Sequence, residues 1–411
     1  MNDKQFEKLY QKSVELSVKG DIAELFDIPD CDSNALECLT NPRRYPAVVR
    51  LGPCSCGEKD CESVCFYKAI TRDEDGNAVI SAQDCVGCGD CIKACGAHNL
   101  VEIKEVVPIF TAVNEGKPVY ALIAPAFLSQ FGPDMTPGRL RAAFKNLGFA
   151  GMIEVALFAD ILTLKEALEF DRSVKRKEDF VLTRCCCPMW VGMIQKVYSR
   201  LMPHVPPSVS PMVASGRAVK LMHPDAVTVF IGPCLAKKAE ARVADIADAV
   251  DYVLTFREIK DIMDAAGIDP NMLEEDQRDH SSAGGRMYAR TGGVSQAVAD
   301  TLAMLRPGRE IPLKSRQGDG VPSCKQLLKD IMEDRIDANF IEGMGCVGGC
   351  VGGPRALIPR EEGEVYVDAY ADKAASRTPV NNAFVLELLQ RLGFDTIESL
   401  IEGENMFTRR F

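Results

Sequence analysis

The spacing of apolar and polar residues predicts two kinds of structure in this chain. Near the N-terminus, Phe6, Tyr10 and Val14 recur at helical spacing, which predicts an amphipathic helix. Farther along, short apolar runs typical of buried strands alternate with helical segments. These runs cover residues 119–124, 151–156, 181–183, 227–232 and 252–255. Strands that alternate with helices indicate an α/β fold.

Glycine and proline indicate where some elements begin and end. Thr136 and Pro137 predict the start of a helix, and Gly148 lies just past its end. The segment 271–320 is polar and contains two Gly-Gly pairs, so we expect a long loop there. The residues from Asn381 onward predict one or two helices.

One segment departs from this pattern, because residues 51–105 are dense in Cys, Gly and Asp. We therefore expect a mostly helical segment at 1–50, a small cysteine-rich domain at 51–105, and a larger α/β domain at 106–411.

Composition argues against several classes of function. The 411 residues carry 48 basic and 59 acidic side chains, and this net charge of −11 argues against nucleic-acid binding. No run approaches the roughly 20 apolar residues that span a membrane. The polar N-terminus lacks the apolar stretch of a secretory signal. The 17 cysteines therefore favour metal binding in a reducing cytoplasm over disulfide bonds.

Eight cysteines form two runs within residues 51–105. The second run, Cys85-x2-Cys88-x2-Cys91-x3-Cys95, has the spacing of bacterial ferredoxins. In those proteins three close thiolates bind one 4Fe–4S cube and the fourth binds a neighbouring cube. Zinc is the competing interpretation, but zinc motifs use paired C-x2-C hooks and rarely such a run of four.

The first run, Cys54-x-Cys56-x4-Cys61-x3-Cys65, is irregular and keeps only the final interval. With a ferredoxin-like crossover, one cube is assigned to Cys54, Cys56, Cys61 and Cys95. The other cube is assigned to Cys65, Cys85, Cys88 and Cys91. The alternative is that the irregular run holds a degraded or different cluster.

Three further motifs contain cysteines far from this region. They are Thr-Arg-Cys-Cys-Cys-Pro-Met-Trp at 183–190, Gly-Pro-Cys-Leu-Ala-Lys-Lys at 232–238, and Glu-Gly-Met-Gly-Cys-Val-Gly-Gly-Cys-Val-Gly-Gly-Pro at 342–354. The first two follow predicted strands directly, and α/β folds place their sites in such loops. A 4Fe–4S cube needs four thiolates, and these motifs contain six cysteines, namely Cys185, Cys186, Cys187, Cys234, Cys346 and Cys350.

In this order, the three motifs resemble the signatures of the iron-only (FeFe) hydrogenases, and the triple cysteine resembles a divergent branch known as group B. The resemblance implies a two-lobed α/β H-cluster domain at 106–411, preceded by a ferredoxin-like α+β domain with two 4Fe–4S clusters. It also implies that Cys187, Cys234, Cys346 and Cys350 bind the cubane of an H-cluster. Cys350 would also bridge to a diiron subsite that carries CO, cyanide and a bridging dithiolate amine.

The resemblance extends to residues that line the cofactor cavity. It implies that Lys237 contacts a cyanide ligand, that Met344 packs over the diiron subsite, and that Pro125 lines the same cavity. The alternative for Lys237 is an ordinary solvated surface lysine. The chain departs from the family at Ala126, where serine is frequent, and at Gly232, where methionine is frequent. Glycine at this position is expected to loosen one wall.

Proton delivery is also implied by the resemblance. Cys186 matches the proton-donating thiol of the family, and Glu166 and Glu169 match two glutamates of its proton path. These glutamates are three residues apart on a predicted helix, and the alternative is a solvated helix face. The serine of that path is absent, because Pro206 stands in its place. Ser208 or water is expected to substitute.

The implied function is the reversible interconversion of H2 with protons and electrons. Electrons would pass from a ferredoxin-like carrier through two 4Fe–4S clusters, and hydrogenase maturation proteins would supply the diiron subsite. The alternative is a low-activity H2 or redox sensor, or an iron–sulfur assembly or scaffold relative. Sensors usually carry an attached signalling domain, and assembly relatives lack the complete first motif. No role is assigned to Cys185 or Cys324.

Overall fold

The computed structural model describes residues 1–29, 31–56, 60–183, 186–276 and 278–409. Cys185, the first residue of the triple cysteine, lies outside these described residues.

The N-terminal segment contains the predicted amphipathic helix. Its helices are α1 (Asp3–Lys19) and α2 (Ser33–Thr40). A capping box between Asn2 and Gln5 begins α1, and Gly20 ends it with a φ of 84°. The apolar face of α1 is buried, as the spacing of its apolar residues predicts.

The cysteine-rich region consists of two antiparallel strand pairs and two short helices. In chain order these are β1 (Val48–Arg50), α3 (Asp60–Ser63), β2 (Ile70–Arg72), β3 (Ala78–Ile80), α4 (Asp90–Lys93) and β4 (Leu100–Glu102). Strand β1 pairs with β4, and β2 pairs with β3. Each short helix carries the third cysteine of its run. That this region is a ferredoxin-like domain stays a prediction.

The rest of the chain forms two parallel sheets with helices around them. The first part contains α5 (Val106–Asn114), β5 (Val119–Ile123), α6 (Pro137–Asn146), β6 (Gly151–Glu154) and α7 (Ala156–Ser173). The middle part contains β7 (Val181–Leu182), α8 (Pro188–Lys196), α9 (Pro211–Met222), β8 (Val227–Gly232), α10 (Ala236–Glu240), β9 (Tyr252–Thr255) and α11 (Phe256–Ala266). The last part contains α12 (Ala283–Met287), α13 (Gly293–Leu305), β10 (Ser315–Asp319), α14 (Gly320–Met332), β11 (Phe340–Met344), α15 (Arg360–Asp372) and α16 (Ala383–Arg391).

The two sheets define two lobes. In the first lobe the strand order is β6-β5-β8-β9, and all neighbours are parallel. In the second lobe the order is β10-β11-β7, again parallel. Helix α7 connects the sheets and is buried along most of its length. The α/β prediction is confirmed, and so is the helix that Thr136 caps.

Most of the segment 271–320 is not the long loop expected, because α12, α13 and β10 lie there. Its glycines permit close packing instead of a loop. A Cβ atom on Gly285 would collide with Ala156 and Asp160 of α7, and one on Gly293 would collide with the backbone of Met287. In the part of the chain that the structure describes, no helix is both long enough and apolar enough to cross a membrane.

Candidate metal centre

The thiols of the cysteine-rich region fall into two groups. Burial raises the pKa of the Cys61 thiol, and three neighbouring thiols raise it further, namely Cys95, Cys56 and Cys54. The second group surrounds Cys91, whose pKa burial also raises. Its neighbours are Cys85, Cys88 and Cys65, and the four together line one cavity. These groups coincide with the two crossed sets, although the ligand assignment itself stays a prediction.

The second group lies against the larger domain. The hydroxyl of Tyr67 donates to the carbonyl oxygen of Met189 at 2.9 Å. A Cβ atom on Gly87 would lie 3.1 Å from the Cα of Ala236, at the start of α10. Cys234 is two residues away from that contact. The cysteine-rich region therefore meets the larger domain beside one of its predicted metal ligands.

The four cysteines predicted to bind the cubane lie in segments that follow strands of both lobes, with Cys350 four residues after Cys346. Cys234 follows β8 of the first lobe, whereas Cys187 and Cys346 follow β7 and β11 of the second. Burial raises the pKa of the Cys350 thiol well above its ordinary value. Four neighbouring thiols raise it further, namely Cys186, Cys234, Cys187 and Cys346. The four predicted ligands thus lie within electrostatic reach of one another where the two sheets meet.

Backbone N–H groups point at two of these sulfurs. Gly345 donates to the Sγ of Cys187 at 3.2 Å. The backbone of Trp190 also donates to Cys187, and the backbones of Ala236 and Lys237 donate to Cys234. Such hydrogen bonds favour the thiolate, which is the form that binds metal.

Lys237 is buried beside the thiols and is not a solvated surface lysine. Its side chain is 8% exposed, and its Nζ donates to Glu240 Oε2 at 2.6 Å. Burial alone would lower the pKa of Lys237, but Glu240 and the thiolates of Cys234 and Cys350 outweigh burial and raise it. The residues therefore keep one ammonium charged next to the thiol set.

Cys186 and Met344 are in contact, since their sulfur atoms are 3.9 Å apart. Met344 is fully buried at the end of β11, and Cys186 is half-buried. Pro125 follows the end of β5 and begins a short 3₁₀ turn. Met344 and Pro125 thus lie at or just past strand ends, and Cys186 lies in the cysteine loop, while their roles at a cofactor stay predictions.

The wall at Gly232 is closed, and the expectation that glycine loosens it was wrong. The ring of Phe230 occupies the space beside Gly232, where a Cβ atom would lie 2.9 Å from that ring. Ala124 fills the other side at 3.0 Å. Phe230 also places its ring 5.8 Å from the Nζ of Lys237.

Comparison with known proteins places the chain in a family. Residues 117–354, more than half of the chain, match the family described as the iron only hydrogenase large subunit, C-terminal domain. The chain belongs to the iron-only hydrogenase family. Iron–sulfur cluster binding is expected of such a protein.

Proteins similar to this chain include both hydrogenases and iron–sulfur assembly proteins. The periplasmic Fe hydrogenase large subunit of Nitratidesulfovibrio vulgaris is 28% identical over 55% of this chain and 64% of its own length. The cytosolic iron-sulfur assembly component 3 of Bos taurus is 23% identical over 76% of this chain and 80% of its own. The chain spans less than two thirds of the hydrogenase relatives. Family membership therefore does not by itself fix the reaction.

A solved structure supports the fold. A variant of the FeFe-hydrogenase HydA1 from Chlamydomonas reinhardtii aligns with a TM-score of 0.59 at 22% identity. The alignment covers 69% of this chain and 93% of that one. The larger domain therefore has the α/β fold of the FeFe-hydrogenase H-domain.

Both glutamates of the predicted proton path are buried in this family member, so the solvated-face alternative was wrong. Glu166 is 3% exposed and Glu169 is 1% exposed. Ser208 donates to Glu169 Oε2 at 3.0 Å. Ser208 therefore contacts Glu169, and its role in place of the absent serine stays a prediction. Pro206 lies near Glu169, since both line one cavity near the surface.

Sequence reasoning missed several residues that hold this site. Glu342 is fully buried and accepts hydrogen bonds from Gly292 and Ser295, which fixes α13 to the third motif. Arg355 bonds to the buried Glu102, which joins the third motif to β4. Glu342 opens the third motif and so was visible in the sequence. Arg355 and Glu102 are far apart along the chain and gave no signal.

Proposed function

We propose that this chain is an iron-only hydrogenase that interconverts H2 with two protons and two electrons. The observation that carries the proposal is the convergence of four thiols beside a buried, charged lysine. The four thiols are Cys187, Cys234, Cys346 and Cys350, and the lysine is Lys237. Iron–sulfur chemistry alone would need the thiols but not the lysine.

The donor set fits the cubane of an H-cluster, because four thiols converge and backbone N–H groups favour the thiolate at two of them. Cys350 would also bridge to the diiron subsite, with its CO, cyanide and dithiolate amine ligands. When bound, that cofactor supplies the redox and acid–base chemistry by which H2 forms and splits.

The side chains around the thiols would hold protons and balance charge. Cys186 would hold the proton to be delivered at its Sγ, beside Met344. The ammonium of Lys237 would stabilise negative charge on a ligand such as cyanide, and burial strengthens that interaction. Pro125, Met344 and Phe230 would form the apolar wall.

Electrons would enter from a ferredoxin or a similar carrier through two 4Fe–4S clusters in residues 51–105. The contacts of Tyr67 and Gly87 with the first residues of the helices after Cys187 and Cys234 support this route, since they bring the second thiol group next to the thiols proposed to bind the H-cluster. Maturation proteins would supply the diiron subsite. We keep the cytoplasm as the proposed compartment.

Protons would travel by Glu169, Glu166 and Cys186, with Ser208 in place of the absent serine. The hydrogen bond between Ser208 and Glu169 and the burial of both glutamates support this route. Side chains that are shielded from bulk water can pass protons without equilibrating freely with solvent.

Iron–sulfur assembly is the second candidate function. It is favoured by the assembly relative from Bos taurus, which covers more of this chain than the hydrogenase relative does. An H2 or redox sensor with low activity is a related possibility. A proton-donating role for Cys186 would favour turnover, since assembly of clusters needs no proton-donating thiol at this position.

Infrared spectroscopy of the protein matured by hydrogenase maturation enzymes tests the proposal. We expect bands of metal-bound CO and cyanide, together with H2 evolution from a chemically reduced donor. An iron content that accounts for the cubane clusters alone, without those infrared bands and without H2 evolution, would favour the iron–sulfur assembly function. Bands with very slow turnover would favour the sensor.

A further inference from the structure

Helix α7 buries a lysine that the proposed reaction has not used. Lys165 and Glu169 lie one turn apart, and each side chain is 1% exposed. The Nζ of Lys165 donates to Glu169 Oε1 and, at 3.0 Å, to the Oγ of Ser208. Ser208 donates to Glu169 Oε2, also at 3.0 Å. The three side chains form a closed triangle of hydrogen bonds inside the protein.

This triangle lies between two cavities. The outer cavity, of about 390 Å³, is lined by Glu169 together with Arg172, His204 and Pro206. The thiol groove, of about 750 Å³, is lined by Ser208 together with Cys186, Cys187 and Ser210. Glu169 therefore reaches one space and Ser208 reaches the other, and a single hydrogen bond joins them.

We propose that Lys165 is a positioning residue for proton transfer, which holds Glu169 and Ser208 in one hydrogen-bonded chain between the outer cavity and the thiol groove. The reaction it serves is the proposed hydrogenase reaction, so that part of the inference rests on the proposed function. The geometric part, that Lys165 holds Glu169 and Ser208 in hydrogen-bond contact, does not rest on the proposed function.

The transfer balances without any other reagent. Glu169 takes a proton from water in the outer cavity and becomes a carboxylic acid. Its O–H then donates to the Oγ of Ser208, while the hydroxyl of Ser208 gives its own hydrogen to water in the groove. Ser208 keeps the proton received from Glu169, and the carboxylate is restored. Lys165 takes no part in the exchange and holds the Oγ of Ser208 in place.

A lysine is well suited to this task because its ammonium has three donors and no acceptor. It therefore donates hydrogen bonds to Glu169 and Ser208 at the same time. Because it has no acceptor, it cannot accept the hydrogen bond that Ser208 donates to Glu169. Without it, a serine hydroxyl is free to rotate among staggered positions, and only some of these point at Glu169. Lys165 also neutralises a carboxylate that would otherwise be buried alone.

The test compares Lys165→Met, Ser208→Ala and the double variant, all matured and assayed for H2 evolution in H2O and D2O. We expect each single variant to lose at least tenfold in turnover, with a larger solvent isotope effect. The double variant should lose no more than the worse single variant, because both break the same chain. Lys260→Met is the matched control, since Lys260 forms the same i,i+4 pair with Asp264 on an exposed face.

Turnover of Lys165→Met within twofold of the parent, with an unchanged isotope effect, would overturn the proposal, because proton transfer would then not depend on the lysine. If Lys165→Met does not fold, Lys165→Met combined with Glu169→Gln leaves a neutral pair. That double variant is compared with Glu169→Gln alone, and we expect both to show the same loss of turnover relative to the parent.

A crystal comparison of the metal-free parent and Lys165→Met decides the geometric part even if the parent evolves no H2. We expect the Oγ of Ser208 to move beyond about 3.2 Å from Glu169 in the variant, the usual hydrogen-bond limit. A retained Ser208–Glu169 bond would refute the role of Lys165. An inactive parent would refute the hydrogenase function alone.

Discussion

The cysteine-rich region and the larger domain assemble their thiols in opposite ways. In residues 51–105, two short runs supply eight thiols, and each run is folded by its own short helix. In the larger domain, four thiols come from loops after β7, β8 and β11, which belong to two different sheets. The first arrangement depends on local spacing, and the second depends on how two lobes pack together.

This difference predicts how far a substitution in one part of the molecule affects each of the two kinds of thiol site. A locally built site should fail alone, because few tertiary contacts are needed to form it. A site built from distant loops should be sensitive to every contact that fixes the lobes. The bond from Lys238 to the carbonyl oxygen of Ile103 and the pair of Arg355 with Glu102 are contacts that fix such loops against the cysteine-rich region.

The largest effect is expected from removing one catalytic thiol. Cys350→Ala should abolish H2 turnover and the infrared bands of CO and cyanide, because Cys350 is the predicted bridge to the diiron subsite. Cys91→Ala should lose one cube of the cysteine-rich region but keep those bands. The infrared spectra and the iron contents of the two variants are compared with those of the parent. Intact bands in Cys350→Ala would contradict the ligand assignment.

Cys186→Ser should separate the metal centre from its proton donor. We expect turnover to fall about 100-fold or more, the usual loss when a positioned acid or base is removed. Iron content and infrared bands should persist, because Cys186 is not a predicted ligand. Cys31→Ser, in the N-terminal segment, is the control. H2 production near the parent level would remove Cys186 from the proton path.

Lys238→Met should weaken the link between the two regions. Lys238 is fully buried, bonds Glu258 at 2.8 Å and donates to the carbonyl oxygen of Ile103 at 2.6 Å. Breaking a buried pair by removing one partner costs about 3–5 kcal/mol. We expect that loss in the free energy of unfolding by urea, and a poorer uptake of the H-cluster than of the two cubes.

The exposed pair of Lys260 with Asp264 again provides the control, since an exposed pair contributes about 0–1 kcal/mol. Equal stability losses in Lys238→Met and Lys260→Met would show that Lys238 does not stabilise the link between the two regions.

The last prediction concerns the dependence of stability on pH at Asp160, which reaches its full size only at the end of the range. Burial raises the pKa of Asp160 from 3.8 to about 7, against hydrogen bonds from Ser282 and Gly285. From about pH 4 to 7 the unfolded chain has released this proton while the folded chain keeps it, so stability falls as pH rises. The contribution to the fall is at most about 4 kcal/mol.

Asp160→Asn should remove that contribution, so the difference in unfolding free energy between parent and variant should change over this pH range. Parallel curves would show that the carboxylate is already ionised in the folded chain.

Local patterns in the sequence predicted much of the fold. The five apolar runs became strands β5 to β9 in their order, because a strand buried on both faces needs a continuous apolar run. Thr136 with Pro137 predicted the start of α6, since both act on the backbone within one turn. The glycine pairs at 284–285 and 292–293 misled, because glycine serves close helix packing as well as loops.

The sequence by itself determined which residue types carry the chemistry and at what local spacing, since cysteine spacing and strand-end position are local properties. Only the tertiary structure decided that Lys237 is charged and buried, that Phe230 closes the wall beside Gly232, and that Lys165 joins Glu169 to Ser208. Burial and contacts between distant residues depend on the packing of whole sheets, and no spacing along the chain records that packing.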